Sequence, residues 1–428
     1  MKKIMILGLL GLLFACQDTP KKETITNPEE YNAYLNTQQA PTLKEAKYQQ
    51  EFWSKRLKED TTGVGDIGPL AAAYESLFTE TGKVTYLKDA ESLYKKGIAV
   101  AAVQFRDGFE RGLAHNYISQ HRFQEAYELL NESLEGVSHK RTTQLMLFDA
   151  AMELGKYDEA YNLLSSLKDM SDMQYLLRLS KWSDYKGDLD SAIKYMEQAK
   201  ALAEAGDNKA MKIWTYTNIA DYYGHAGRIK DSYTHYLKAL ALQPDNAYAK
   251  KGIAWVLYAS EGNTQEAHRI LDSVMATHQA PDYHLFKSEL YTYENDMANA
   301  ALEEERFITA VENNPYGKMY NTYLIEYYAE KDSGKALTTA QNEIENRATP
   351  ETYHLLAWAL LKDGKKEEAL EIIQEHVEGK TYEPMAFYHM AVIYKANGME
   401  EKVAPLKEEL LASAYELGPV LVQDIEKL

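Results

Sequence analysis

The hydrophobic and polar positions divide the chain into three unequal parts. An apolar run covers residues 4–15, directly after Met1-Lys2-Lys3. Residues 17 to about 40 are polar, contain scattered prolines and have no apolar period. From there to the end, aromatic-rich helical stretches alternate with turns that contain Gly or Asp. The pattern predicts a short leader, a flexible tether and a long helical body.

A short phrase recurs through the body: a turn with Gly, one or two acidic residues, and then Ala near the start of a helix. Its clear and looser copies begin, in chain order, at His121, Gly155, Gly187, Gly227, Gly262, Gly364 and Gly398. Most neighbouring copies begin 32 to 40 residues apart. A period of this size indicates stacked helical hairpins, because one hairpin cannot bury its apolar face alone. The step of 40 residues from Gly187 to Gly227 predicts lengthened helices around residues 201–210.

This unit resembles the tetratricopeptide repeat (TPR), a helix-turn-helix of about 34 residues. The best copy runs from Trp214 to Pro244 and carries the matching residues Ile219, Ala220, Tyr223, Gly227, Tyr236 and Ala239. The resemblance covers residues 107–412 well and residues 66–100 weakly. It implies an all-α fold, a right-handed α-solenoid of about nine to ten TPR-like repeats over residues 63–428. We expect a separate N-terminal helix over residues 41–62.

The leader ends in Leu13-Phe14-Ala15-Cys16, which resembles the bacterial lipobox. At about a dozen residues, its apolar run suits a signal peptide and is too short to span a bilayer. The resemblance implies a signal peptide over residues 1–15, an acylated Cys16 and a lipid-anchored flexible tether over residues 16–40. Gln17 follows the cysteine, and in the enterobacterial scheme a residue other than Asp there favours the outer membrane. We expect the periplasmic face rather than the cell surface; an ordinary signal peptide with a chance cysteine stays open.

Cysteine content and charge narrow the class of protein. Cys16 is the one cysteine of the chain, so an intrachain disulfide is impossible. The formal net charge is -18, and removal of Lys2 and Lys3 with the leader makes it -20. Nucleic-acid binders need a basic stripe to displace counterions, and none is present in the sequence. We therefore expect no nucleic-acid partner.

Signals for chemistry are weak. Residues 63–68 match G-x-G-x-x-G, with Asp89 further on, but no strand is predicted before the glycines and no βαβ unit follows. We interpret this stretch as a hinge between the N-terminal helix and the solenoid. Asp221 and His225 are spaced i, i+4 without a third metal ligand. We expect no catalytic residue, no metal site and no cofactor, and so no enzyme.

In the resembled family, first-helix residues line a concave groove that binds partners. Transferring that register places nine residues in the groove: Arg111, His115, Arg178, Lys181, Asp221, His225, His354, Trp358 and Tyr388. These residues predict a groove that is cationic toward its N-terminal half and aromatic toward its C-terminal half. The family's carboxylate clamp needs Lys and Asn at two set positions of one repeat, and no repeat here has that pair.

The resemblance implies a membrane-anchored interaction scaffold that binds a partner protein or peptide in its concave groove. Two alternatives remain. One is a glycan-uptake-type binding lipoprotein, which would carry long insertions between repeats that this chain nearly lacks. The other, less favoured, is an enzyme with its active site in the groove.

Overall fold

The computed structural model describes residues 24–36, 40–57 and 63–428. The predicted leader, Cys16 and the first part of the predicted tether lie outside these residues. All regular secondary structure in these residues is helical, and they contain no strand. None of their helices combines the length and apolar character needed to cross a bilayer. The all-α prediction is therefore confirmed.

Ten helical hairpins follow one another along the described chain. They pair α3 (Val64–Thr81) with α4 (Thr85–Val100), α5 (Arg106–Ser119) with α6 (Phe123–Ser133), α7 (Lys140–Glu153) with α8 (Tyr157–Ser166), α9 (Met173–Tyr185) with α10 (Leu189–Ala205), α11 (Lys209–His225) with α12 (Ile229–Leu242), α13 (Ala247–Val256) with α14 (Thr264–Met275), α15 (Asp282–Tyr293) with α16 (Met297–Glu312), α17 (Asn321–Lys331) with α18 (Ser333–Asn346), α19 (Pro350–Lys362) with α20 (Lys366–Ile372), and α21 (Pro384–Ala396) with α22 (Glu400–Ala412). This count agrees with the nine to ten repeats predicted. Helices α10 and α11 have 17 residues each, which confirms the lengthening inferred from the long step.

Further helices flank the hairpins at both ends. The short α1 (Pro28–Tyr31), followed by a 3-10 turn, and α2 (Pro41–Arg56) precede them, and α23 (Ala414–Ile425) follows. The predicted N-terminal helix over residues 41–62 thus ends at Arg56. The glycines at 65 and 68, interpreted as part of a hinge, lie inside α3, and only Gly63 precedes that helix.

The turn inside each hairpin explains the recurring glycine. Glycines at 82, 155, 187, 227, 262, 364 and 398 all have φ between 68° and 80°. A residue with a Cβ resists this left-handed conformation, and glycine adopts it freely. His121 and Asn295 occupy the same place in two hairpins, with φ of 55° and 62°.

The small residue of the recurring phrase is a packing contact. Ala126, Ala160, Ala192, Ala267 and Ala369 each have 0% exposure. Because alanine has no side chain beyond Cβ, the second helix of each hairpin approaches its neighbours closely. The hydrophobic core therefore continues from hairpin to hairpin.

The solenoid coils back on itself into two stacked layers. We call α3–α10 the lower layer and α13–α22 the upper layer, with α11 and α12 joining them. The backbone amide of Gln279, in the upper layer, donates to the carbonyl of Thr81 at 2.7 Å, and Asn346 Nδ2 donates to the carbonyl of His121 at 3.2 Å. In both contacts a hairpin turn of the lower layer meets a connection between two hairpins of the upper layer.

The last helix, α23, does not continue the series of stacked hairpins. The carbonyl of Tyr415 in α23 accepts a 3.0 Å hydrogen bond from Trp255 Nε1, although 160 residues separate them. Its Gly418, at φ 79° and ψ 156°, lies against Trp255 and Glu289. Helix α23 therefore packs against α11, α13 and α15, and not only beside the final hairpin.

The described part of the predicted tether is folded. Residues 24–36 lie on the second helices α12 and α14, with Thr26 and Tyr31 buried at 5% and 1% exposure. This differs from the flexible tether expected over residues 16–40. The reason is that Tyr31 and its neighbours fill a cleft between helices that the local composition does not reveal.

Candidate functional site

The larger of two neighbouring cavities lies where the two layers meet. It has a volume of about 540 Å³. Its walls come from the ends of α7, α9 and α11, from the connections before α19 and α21, and from the start of α23. The acidic, basic and histidine lining residues are Glu153, Lys181, Asp184, His225, Arg347, Glu351, Glu383 and Glu416. We call this space the acidic cavity, because five carboxylates face two permanent cations.

The second cavity, of about 450 Å³, adjoins the first and shares His225 and Glu416 with it. Aromatic side chains form much of its wall: Tyr236, Tyr248, Trp255, Tyr323 and Tyr415. We call it the aromatic cavity. Asp221 lies in its wall and accepts hydrogen bonds from the hydroxyls of Tyr236 and Tyr248. Lys251, also in the wall, is paired with Asp282 at 2.7 Å.

The carboxylates of the acidic cavity divide into two kinds. Burial opposes the ionisation of Glu153, but Lys181 and Arg347 hold its pKa below the ordinary value. Burial raises the pKa of Asp184 and of Glu416, and nearby His225 offsets the rise only in part. The pKa of Glu383 is raised to about 7 by burial and by the charges of Glu416, Glu351 and Asp184. Burial, joined at Glu383 by the neighbouring carboxylates, therefore disfavours the charged forms of these three carboxyl groups.

Three of the nine residues predicted to line a groove do line these cavities. Lys181 faces the acidic cavity and is paired with Glu153 at 2.9 Å. Asp221 faces the aromatic cavity, and His225 faces both. His225 Nδ1 lies 3.7 Å from Glu416 Oε2.

His354 and Trp358, predicted to line the C-terminal half of the groove, are instead buried, at 5% and 6% exposure. The two Nδ1 atoms of His354 and His389 lie 2.9 Å apart, and Trp358 stacks on His389 with centroids 4.2 Å apart. Tyr388 is half-buried beside Trp358, with ring centroids 6.0 Å apart. These side chains fill the seam between α19 and α21.

The two arginines of the predicted cationic part of the groove join neighbouring hairpins. Arg178 is bound to Asp149 at 2.5 Å and to the carbonyl of Leu145. Arg111 donates to the carbonyl of Ser138 at 3.2 Å. His115 remains accessible, with its side chain 64% exposed and Nδ1 3.7 Å from Glu75.

Sequence reasoning missed most residues that define the cavities. Asp184 follows Lys181 by one helical turn on α9, so the same register could have found it. Tyr248 and Tyr323 also lie on first helices, near the starts of α13 and α17. Glu383 lies in a connection and Glu416 in the final helix, and no repeat pattern indicates either position.

The carboxylates of the cavities are not grouped as metal ligands are. Across residues 24–36, 40–57 and 63–428, no group of three or more His, Cys, Asp or Glu side chains is arranged to hold a metal ion. Carboxylates beside aromatic rings are instead the groups that bind organic cations such as the side chains of Lys and Arg.

Comparison with known proteins identifies one repeat by sequence. Residues 215–246, which span most of α11 and all of α12, match the tetratricopeptide repeat family. No curated protein sequence matches the chain significantly.

Among solved structures, the human IFIT1 dimer with PPP-AAAA is similar at 12% identity and a TM-score of 0.49, covering 77% of this chain and 76% of that chain. YrrB, described as a TPR protein with an unusual peptide-binding site, is similar at 17% identity and a TM-score of 0.28, covering 47% of this chain and 96% of that chain. The ten hairpins, their turn glycines and the matched repeat together give an all-α solenoid of TPR-like repeats.

Proposed function

We propose that this protein is a lipid-anchored scaffold that holds a basic segment of a partner protein in its acidic and aromatic cavities. The observation that carries the proposal is that Asp184, Glu383 and Glu416 line one cavity together, where burial raises their pKa values. A Lys or Arg side chain from a partner would stabilise the ionised forms of these carboxyl groups. The solenoid fold supports a binding role, since stacked repeats form extended concave surfaces.

The aromatic cavity supports the same partner. A cation over the face of Tyr or Trp gains about 0.5–2 kcal/mol, most when water is excluded. Tyr248 and Tyr323 are 53% and 40% exposed, so their rings are open to a ligand. Asp221 lies beside them as an acceptor, and burial raises its pKa despite the two tyrosine hydroxyls. A Lys or Arg side chain would find both a ring face and a carboxylate here.

Nucleic acid fits the cavities poorly, because their carboxylates would repel phosphates. A glycan-uptake lipoprotein is disfavoured for another reason. The longest non-helical connection between consecutive hairpins among the described residues is 313–320, eight residues, so the long insertions expected of that class are missing there. We propose binding, not catalysis.

The partner chemistry is tested with 12-residue peptides of alternating charged and Ala residues. We expect the Lys peptide to bind more tightly than a Glu peptide of equal length, in fluorescence anisotropy at fixed ionic strength. Glu383→Gln together with Glu416→Gln should weaken the Lys peptide about tenfold or more, since a lost buried charge contact costs about 2 kcal/mol or more.

The matched control is Glu367→Gln with Glu375→Gln, two carboxylates that are 74% and 75% exposed. Their replacement changes the formal net charge equally and leaves the cavities intact. If both double variants weakened binding of the Lys peptide equally, net charge alone would account for the loss and the cavities would not be the binding site. Equal binding of Lys and Glu peptides would reject a basic partner.

The anchor is tested separately, at Cys16. We propose acylation of this thiol after removal of residues 1–15, and attachment to the periplasmic face of a bacterial outer membrane. Metabolic labelling with a palmitate analogue should mark the wild type and not Cys16→Ala. Equal labelling of both would reject the lipoprotein assignment, whatever the peptide experiment shows.

A further inference from the structure

The N-terminal segment 24–36 is held on the solenoid by a dense set of hydrogen bonds. The backbone amides of Ile25 and Thr26 donate to Glu261 Oε1 at 2.8 and 2.7 Å. Tyr31, at 1% exposure, donates its hydroxyl to Glu266 Oε2 at 2.9 Å. We call residues 24–36 the strap. Contacts of this density fix both the position and the direction of the chain.

The direction of the strap follows from the order of its partners. Glu261 lies at the hairpin turn between α13 and α14, next to Gly262. Farther along, the carbonyl of Leu35 accepts from Ser273 Oγ near the end of α14. Thr42 then binds Asp245, in the connection before α13, through its amide and hydroxyl. The strap therefore enters at a hairpin turn and leaves at the opposite edge of the same layer.

The hairpin turns of the upper layer form one outer end of the molecule. In the lower layer the hairpin turns are covered, as the contact of Thr81 with Gln279 shows. The opposite outer end is therefore formed by the connections of the lower layer, including residues 101–105 and 134–139. The strap begins at the upper end, beside Gly262.

The length of chain before the strap limits where a lipid on Cys16 can lie. Thr24, the first residue of the strap, follows Cys16 by eight positions. A chain of eight residues reaches at most about 26–29 Å, whatever its conformation. Helices of about 14 residues are roughly 21 Å long, so two layers place the lower end roughly 40 Å from the upper end. The lipid cannot reach the lower end.

We propose that the strap makes the upper end of the molecule its membrane-facing surface. The hairpin turns at Gly262, Asn295, Asp332, Gly364 and Gly398 then lie toward the lipid, and the lower connections point away. This inference rests on the acylation of Cys16 proposed above. It goes further by assigning one surface to the bilayer and leaving the exposed apolar side chains of the lower end, Val103, Phe105 and Val137, to face the aqueous compartment.

Orientation is measured on the acylated protein in vesicles that carry a headgroup-linked quencher. Acylation occupies the Cys16 thiol, so a single introduced cysteine takes up the fluorophore. Lys365→Cys marks the upper end and Val137→Cys the lower end. We expect quenching at Lys365 to exceed that at Val137 by about twofold or more, because roughly 40 Å separates the two ends.

The strap itself is tested by Tyr31→Ala, combined with each label. Loss of the buried ring should release residues 24–36 from the solenoid. The free chain between Cys16 and the folded body would then extend to residue 40, and most of the difference in quenching should disappear. Release is confirmed by proteolytic cleavage within residues 24–40. The matched control is Tyr48→Ala, a tyrosine that is 59% exposed on α2 and should leave the difference intact.

Each outcome decides the question. Flotation with the vesicles and stronger quenching at Val137 would show the apolar lower end on the membrane and overturn the proposal. Equal quenching at both labels in the otherwise unchanged protein would overturn it as well, while leaving the acylation standing. Failure of the protein to float would reject the acylation and the orientation together.

Discussion

At the residue scale, two buried histidines pack together between α19 and α21, where the sequence pattern predicted an open groove. His354 and His389 are at 5% and 2% exposure and contact each other through ring nitrogens. Burial lowers the pKa of His354 to about 3. Burial, repulsion from a protonated His354 and the charge of Lys362 lower the pKa of His389 well below its ordinary value. Both rings are therefore neutral in the folded protein at neutral pH.

These histidines should make the protein sensitive to mild acid. The unfolded chain, with His pKa near 6.5, takes up protons below that pH while the folded chain does not, so stability falls as pH falls from about 6.5 toward 3. We expect a loss on the order of 1–2 kcal/mol per histidine between pH 7 and pH 5. His354→Gln with His389→Gln should flatten this dependence in urea unfolding. If stability in the double variant fell with pH as steeply as in the wild type, these histidines would not be the cause.

Trp358 should matter for stability and not for partner binding. Its ring is buried and stacked on His389, so Trp358→Ala should lower the free energy of unfolding by about 3–5 kcal/mol. Trp214→Ala, at a site that is 42% exposed, is the matched control and should change it far less. Similar melting curves for the two variants would argue that the seam is loosely packed.

At the element scale, α23 closes one side of the cavities. Tyr415 of this helix lies so close to Gly224 of α11 that a Cβ at Gly224 would be 2.5 Å from its ring. Tyr415 and Glu416 also line the aromatic cavity. The final helix therefore contributes cavity wall and holds α11 and α13 in place.

Gly224→Ala should displace α23. The added methyl group meets the Tyr415 ring, whereas Gly65→Ala adds the same group to α3 where nothing lies within 4 Å. In a helix interior, Gly→Ala without a clash stabilises by about 0.8–1.0 kcal/mol, and the gain is smaller in the first turn, where Gly65 lies. We expect Gly65→Ala to stabilise and Gly224→Ala to speed amide hydrogen exchange across residues 414–425. If amide hydrogen exchange across residues 414–425 were unchanged in Gly224→Ala, the contact between α11 and α23 would not be needed to hold α23 in place.

At the scale of the whole molecule, the stacking of the two layers rests partly on Arg347. Its guanidinium, 15% exposed, is bound to Glu153 at 3.3 Å and to Glu343 at 2.8 Å. Glu153 belongs to the lower layer and Glu343 to the upper layer. The same ion pair borders the acidic cavity, so the closure of the solenoid and the shape of the cavity depend on one another.

Arg347→Ala should loosen this closure. Lys181 still pairs with Glu153, but the buried carboxylate of Glu343 loses its ion-pair partner, at a cost on the order of 3 kcal/mol. Small-angle scattering should show a larger radius of gyration as the layers separate. Arg228→Ala, in a pair with Asp231 whose side chains are 45% and 49% exposed, should cost less than about 1 kcal/mol. An unchanged radius of gyration in Arg347→Ala would locate the closure elsewhere.

The sequence by itself determined the repeating architecture, because its causes are local. A glycine with positive φ ends most of the first helices, and an alanine at a fixed distance lets the next helix approach, so both leave a regular pattern. The lipobox resemblance at Cys16 is likewise local, and acylation there stays a prediction.

Only the tertiary structure decided which side chains share a cavity. Glu383 meets Glu416 and Asp184, and Tyr31 fills a cleft beside Glu266, across sequence separations that no repeat period encodes. The register that predicted Lys181, which lines a cavity, also predicted Trp358, which is buried. Accessibility depends on how tightly successive first helices pack and on where the solenoid coils back on itself, and both are settled by the sum of contacts over the whole chain.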